Sequence, residues 1–347
     1  MSVSPLSKLY CGILRSTYKS MFLERQTTMD DFYISRRVLM KYNGRDKCVE
    51  IPANVKRIGY GACHSKILER IVIPSTVNAI EQAAFLGCTN LQSVELSEGL
   101  ESIGGEVFRG CSNLRSIVIP DSVMSIGAGA FRQCKNLEHI VLPKGIASVE
   151  KSLLGDCESL KSIIIPTGVR SIGEFAFVGC NSLQSVELPD SVTMIQTGAF
   201  LGCKNIEKLI LPDGITQIED SAFSCCYKLQ QVVLPASITC ICKDAFSHCV
   251  SIQKVEIPTG VITIGEDAFA GCKNLRDIVI PESVTSIGDG AFRGCASIEC
   301  ITIPKGVTGI GKNAFQDCDQ LKSITLPAKL RVNRSWNLPE GIAVIRR

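Results

Sequence analysis

The sequence predicts a repeat solenoid that is β-rich, built of short strands and turns, with little helix. Three observations carry this. Proline recurs at Pro120, Pro143, Pro166, Pro189, Pro212, Pro235, Pro258, Pro281, Pro304 and Pro327, always 23 residues apart. Cysteine recurs at the same interval from Cys88 to Cys318. Phenylalanine stands three residues before each of these cysteines, from Phe85 to Phe315, except where Leu154 replaces it. A fixed period of this length marks stacked repeats. A single unit holds too few apolar side chains to offset its ordering entropy at ~25 cal/mol per Å² of buried surface. Stacking puts like residues in columns and makes one continuous core, so stability becomes a sum of neighbour terms.

Taken from the N-terminus, residues 1–28 do not repeat. Lys8, Arg15, Lys19 and Arg25 against Glu24 make them basic. Their apolar run around Leu9–Leu14 is broken by Gly12 and is too weak for a secretory signal. The segment reads as a flexible basic leader, with an organelle-targeting segment or a misplaced start (Met21 and Met29 are alternatives) as other readings. Residues 29–51 read as a capping hairpin, with Tyr33-Ile34 and Val38-Leu39-Met40 extended and Asn43-Gly44 as a turn signal. The array follows over residues 52–327, about twelve coils by the 23-residue period. Residues 328–347 read as a C-terminal cap, with Trp336 covering the last coil. Caps are needed because end coils otherwise present open strand edges.

Within a coil, Ile117-Val118-Ile119 alternates in and out as a short strand, and Pro120 ends it, since proline has no N–H to give a ladder. Val123 and Ile126 form a second extended piece. Ala130 and Phe131 fill the interior. Gly follows the isoleucine in many coils (Gly127, Gly173, Gly265), but Glu81, Glu150, Gln196 and Glu219 replace it elsewhere, so a positive φ is not demanded in every coil. No stretch long enough for a stable helix lies between the breakers.

The Leu-x-x-Ile-x-Ile-Pro segment matches a leucine-rich repeat core. The whole unit, with its A-F-x-G-C-x-N-L, resembles the BspA-type leucine-rich repeat of bacteria and protists. The resemblance implies a curved, right-handed solenoid used for binding, with cell-surface adhesion a frequent role. The common version of the repeat carries asparagine after the strand. Here Gly99, Ser122, Gly145, Gly168 and Ser191 fill that place, so no asparagine ladder is expected there.

Composition narrows the function. Lys plus Arg number 37 and Asp plus Glu 34. The surplus sits at the ends: residues 1–50 carry nine basic and five acidic side chains, and residues 328–347 five and one. The array between them is therefore mildly acidic, which is poorly suited to a phosphate backbone, and nucleic acid is not an expected partner. No apolar run reaches the ~18–20 residues of a membrane helix, so membrane insertion is not expected. His64, His139 and His248 lie in different coils, no P-loop occurs, and the Gly-x-Gly pieces sit in repeat turns. The chain reads as a non-enzyme with no cofactor and no small-molecule substrate.

The 18 cysteines need an account. Eleven form the column from Cys88 to Cys318. Neighbouring coils lie ~4.8 Å apart, near the lower limit for a disulfide, and eleven is odd. The column reads as a ladder of buried thiols, which points to a reducing compartment and a cytoplasmic location. Export to the cell surface by a non-classical route is the other reading. Cys225, Cys226, Cys240, Cys242, His248 and Cys249 crowd two adjacent coils. They leave open a zinc site or thiol chemistry, although no C-x-x-C spacing occurs and small-for-small drift from the repeat explains Cys240 and Cys242.

Strand alternation identifies the outward column on the main strands: Glu95, Val118, Val141, Ile164, Glu187, Ile210, Val233, Glu256, Val279, Thr302 and Thr325. Val118, Val141, Ile164, Ile210, Val233 and Val279 are the candidate partner-binding residues, expected on the solvent side of one long parallel sheet. β-Branched residues favour strands whether or not they bind, but a contiguous apolar stripe marks an interaction site. The expected function is recognition of a protein or peptide partner on this face. The alternatives are a BspA-type surface adhesin binding a host or matrix protein, a metal or redox protein, and a self-associating structural protein.

Overall fold

The computed structural model describes residues 29–347. The basic leader of residues 1–28 lies outside the described residues. Each coil has three sides. The first is a short strand, such as Ser116–Val118 or His139–Val141, whose central residue points inward and is buried. The proline that follows closes a turn, its carbonyl accepting the N–H three residues on (Val123 to Pro120, 3.1 Å). The second side is a two-residue strand such as Ser125–Ile126. The third is a run of tight turns carrying the Ala-Phe pair. Helix among the described residues is limited to two 3-10 turns, Met29–Asp31 and Arg334–Trp336.

The three sides are bonded differently. On the first side the expected long sheet is not formed. Cys48–Glu50, Arg70–Ile73 and Ser93–Leu96 make one three-stranded sheet, and Cys300–Thr302, Ser323–Leu326 and Ala343–Arg346 another. Between them the strands bond only in pairs, starting with Ser116–Val118 and His139–Val141. The second side forms longer runs, the N-terminal one having six strands. The third side carries an unbroken ladder. Phe85 N donates to Val107 O at 2.9 Å, Phe108 N to Ala130 O at 2.7 Å, and so on to Phe315 N and Trp336 O at 3.1 Å.

That third side also holds the core. The phenylalanines stack with centroids 5.1–5.9 Å apart, in one run over Phe85, Phe108 and Phe131 and a second from Phe177 to Phe315. Leu154 divides them. Each ladder cysteine donates its S–H to a backbone carbonyl of the preceding coil, as Cys111 does to Phe85 O at 3.3 Å and Cys134 to Phe108 O at 3.1 Å. All eleven are buried free thiols. Cys63 joins this system as well. Its N–H bonds Ala84 O and its carbonyl accepts from Cys88 Sγ, so it fills the phenylalanine place of the first, shortened coil.

The position after the proline turn does lack an asparagine ladder, and serine supplies the bond instead. Ser122, Ser191, Ser237 and Ser283 each donate to a carbonyl one coil back at 2.5–2.8 Å. A short asparagine ladder occurs elsewhere, where Asn136 Nδ2 reaches Asn113 Oδ1 (3.3 Å) and Asn113 Nδ2 reaches Asn90 Oδ1 (3.4 Å).

At the N-terminal end, Phe32–Ser35 and Val38–Tyr42 form an antiparallel hairpin. It turns at Arg36-Arg37, both at positive φ (49° and 65°), and not at Asn43-Gly44. Its second strand pairs in parallel with Arg57–Ile58 and covers the second side of the first coil. At the C-terminal end, Trp336 is buried and its Nε1 donates to Ile310 O at 3.1 Å. Ala343–Arg346 adds a parallel strand in register with Ser323–Leu326, so this segment completes one further turn.

Candidate partner-binding face

The strand geometry places all six candidate residues outward on the first side. Their exposure runs from 48% for Val141 to 74% for Ile164. The reason is local: the residues on either side in each strand, such as Ile117 and Ile119, are anchored in the core, and alternation turns the one between them to solvent. Val118 lies directly opposite Val141, and Ile210 opposite Val233. The sheet break described above falls between Val141 and Ile164, whose bonded neighbour is Glu187. Val279 is bonded opposite Glu256.

The six residues therefore form three patches rather than one stripe. Val118, Val141 and Ile164 occupy consecutive coils, Ile210 and Val233 make a second patch, and Val279 stands apart. Glu187 and Glu256 separate them. Sequence reasoning missed Val72, which belongs to the same column one coil before Glu95 and is half-buried opposite it. The column spacing was the signal that could have found it.

Charge borders the first patch. Lys161 pairs with Glu138 across two coils beside Val141, and this ammonium holds the Glu138 carboxyl below its ordinary range. Beside the second patch, Lys254 Nζ lies 2.6 Å from Glu256 Oε1 and lowers that carboxyl in the same way. Val233 also borders a recess of about 490 Å³ lined by Gln230, Gln231, Gln253 and Lys254. The recess sits where the strands Gln231–Val233 and Lys254–Glu256 fail to bond.

The second side differs. Its outward column reads Ser102, Ser125, Ser148, Ser171, Met194, Gln217, Cys240, Thr263 and Ser286. It too is the outward column of short parallel strands, yet one large apolar residue occurs in it. Exposed Met124 and Ile262 lie elsewhere on this side, in coils far apart.

The crowded cysteines fall on two sides. Cys226 and Cys249 belong to the buried ladder. Cys225 and His248 sit at positive-φ turn positions just before them. Cys240 and Cys242 lie on the second side, their sulfurs 3.4 Å apart. Among the described residues no three His, Cys, Asp or Glu side chains gather as metal ligands. Nor is any helix there long and apolar enough to cross a membrane.

The BspA type leucine rich repeat pattern matches residues 56–166, 149–273 and 239–336, in six copies. The chain belongs to the BspA-type leucine-rich repeat family. Solved structures agree with the leucine-rich repeat fold. A leucine-rich repeat protein from Bacteroides ovatus is 25% identical, with a TM-score of 0.70, over 93% of this chain and 100% of that one. A leucine-rich cell surface protein from Faecalibacterium prausnitzii is 26% identical, with a TM-score of 0.56, over 91% and 92%. A third, from Eubacterium ventriosum, is 21% identical, with a TM-score of 0.57, over 86% and 92%. Comparison with curated proteins finds no match. Proteins of the leucine-rich repeat fold commonly bind protein partners.

Proposed function

We propose that this BspA-type protein is a non-enzymatic recognition module that holds a protein or peptide partner against Val118, Val141, Ile164, Ile210, Val233 and Val279. The observation that carries the reading is the contrast between the two strand-bearing sides. Both present an outward column from short parallel strands. Strand propensity alone would enrich both in β-branched apolar residues. Only the first-side column through Val118 is so enriched; the first-side column through Ser116 and Ser162 is polar, and in the second-side column serine and threonine predominate beside Met194, Gln217 and Cys240. Apolar patches separated by Glu187 and Glu256 and bordered by ion pairs suit an interface of apolar anchors with a polar rim. The recess beside Val233 gives one anchor of the partner a place to seat.

The test compares wild type with Val118→Glu/Val141→Glu/Ile164→Glu as affinity baits in source-cell lysate. All three side chains point to solvent, so the variant keeps its circular dichroism spectrum. A partner retained by wild type and released by the triple variant supports the face. Equal retention by both overturns it.

The second reading is a surface adhesin that binds a host or matrix protein. The likeness to the F. prausnitzii cell surface protein favours it. The buried free thiols favour a cytoplasmic location instead, since each is used as a donor and reducing compartments preserve it. Protease treatment of intact source cells separates the two: loss of the protein supports the adhesin, and protection supports the cytoplasmic module.

A further inference from the structure

Two thiols stand where the repeat most often places serine and glycine. Cys240 occupies the column of Ser102, Ser125, Ser148 and Ser171. Cys242 occupies the column of Gly104, Gly127, Gly173 and Gly265. Both departures fall in one coil, around the strand Cys240–Ile241 on the second side. Ile241, between them, is buried in the core, so alternation puts both sulfurs on the outer surface of the coil. The sulfurs are 3.4 Å apart and in mutual hydrogen-bond contact. Thr263 Oγ1, on the next coil, donates to Cys240 Sγ at 3.5 Å. The ladder thiols are all buried, whereas both members of this pair are partly exposed.

We propose that Cys240 and Cys242 form a dithiol–disulfide modification site, closed by exchange with a low-molecular-weight disulfide of the glutathione type. The Cys240 thiolate attacks one sulfur of the small disulfide and breaks its S–S bond. A mixed disulfide forms, and the first small thiolate leaves and takes up a proton. Cys242 then gives its proton to solvent and attacks the Cys240 sulfur, which expels the second small thiolate. The protein pair loses two hydrogens and two electrons, and the small disulfide is reduced to two thiols. Burial, the contact with Cys240, and the Glu219 and Asp220 carboxylates push the Cys242 thiol up. Residues two apart in an extended strand have Cα atoms roughly 6.5 Å apart, at the upper end of disulfide geometry. The closed bridge is therefore strained and readily reduced again, as befits a labile bond rather than a structural one.

Trypsin isolates the site, because residues 229–243, between Lys228 and Lys243, contain no other cysteine. The reduced full-length protein is equilibrated with increasing oxidised glutathione, alkylated and digested. Peptide 229–243 is expected to become two hydrogen masses lighter, to take up no alkylating reagent, and to revert with dithiothreitol. Exposed Cys300 should then carry a single glutathione, which reports that oxidant is present. A peptide still carrying two alkyl groups once Cys300 is glutathionylated overturns the proposal, as does a peptide carrying two glutathiones. Cys240→Ser and Cys242→Gly restore residues that other coils use, so both variants fold. Each single variant is expected to stop at the mixed disulfide.

Discussion

From Phe85 to Phe292, with Leu154 taking the place once, the carbonyl at the phenylalanine position accepts twice, from the N–H of the cysteine three residues on and from the S–H of the cysteine in the next coil. The thiol is thus a rung between coils as well as a filler. Burial pushes these thiols up, Cys134 and Cys272 to about 12 from an ordinary value of 9.0. A thiol whose folded value exceeds its unfolded one stabilises the fold fully below the unfolded value and loses that contribution as pH rises toward the folded one. The loss is ~1.4 kcal/mol per pH unit for each fully buried thiol. The urea midpoint is therefore expected to hold near neutrality and to fall steeply between pH 9 and pH 11. The glycines were only half legible at this scale. The one after the isoleucine has no positive φ; it is there because a Cβ on Gly104 would lie 2.6 Å from Gln82 N, and one on Gly127 2.4 Å from Gly105 N. Positive φ is required two residues later, where Gly129 (62°) and Ser152 (51°) share a column. Gly129→Ala is expected to lower stability by ~1 kcal/mol, and Ser152→Gly to raise it by about 0.5 kcal/mol, in urea unfolding.

One coil breaks the rule of its element. Where its neighbours carry Ala130-Phe131 and Ala176-Phe177, this coil carries Leu153-Leu154, both fully buried. The volume removed from the phenylalanine column is returned one residue earlier. Leu154→Phe alone overfills the site and is expected to cost ~1–3 kcal/mol. Leu153→Ala/Leu154→Phe is expected to recover most of that loss and to join the two aromatic stacks, as thermal unfolding of both variants would show. The strands of the N-terminal hairpin were legible. Tyr33-Ile34 and Val38-Leu39-Met40 read as strands and are strands. The turn was not legible, because two arginines hold the left-handed conformation that Asn-Gly ordinarily signals. Asn43-Gly44 instead passes close to the Tyr42 ring, where a Cβ on Gly44 would lie 2.3 Å from Oη. At the other end, Trp336→Ala removes the buried indole over Ile310 and costs ~3–5 kcal/mol locally. Because coils couple only to their neighbours, amide exchange is expected to quicken over residues 307–326 and to stay slow in the central coils.

For the whole molecule, the period alone made the solenoid legible, since identical coils have one way to stack that buries every column. The outward column of the candidate face was legible for the same reason. Its division was legible only in part: Glu187 and Glu256 can be read from the sequence, but the sheet breaks cannot. Ser116 bonds beside His139 while His139 does not bond beside Ser162, although the residue types hardly differ. The alternation belongs to the stack and not to any one coil. Inter-coil ion pairs such as Lys135–Glu158 and Lys151–Glu174 are exposed and screened by solvent, so they neither set nor mend the breaks.

The unequal bonding of the sides has a mechanical consequence. The aromatic side is laced from Phe85 to Trp336 without a gap, and the strands of the first side pair only at every second seam through the middle of the array. The rod is then stiff along one edge and pliant along the other, like a spine with open joints in front. Bending that opens the first side costs few backbone bonds, so the spacing of the three apolar patches is adjustable. Pulled from both ends in an optical trap, the central coils are expected to part in steps of two coils rather than one. Single-coil steps there would show that the seams are mechanically equal.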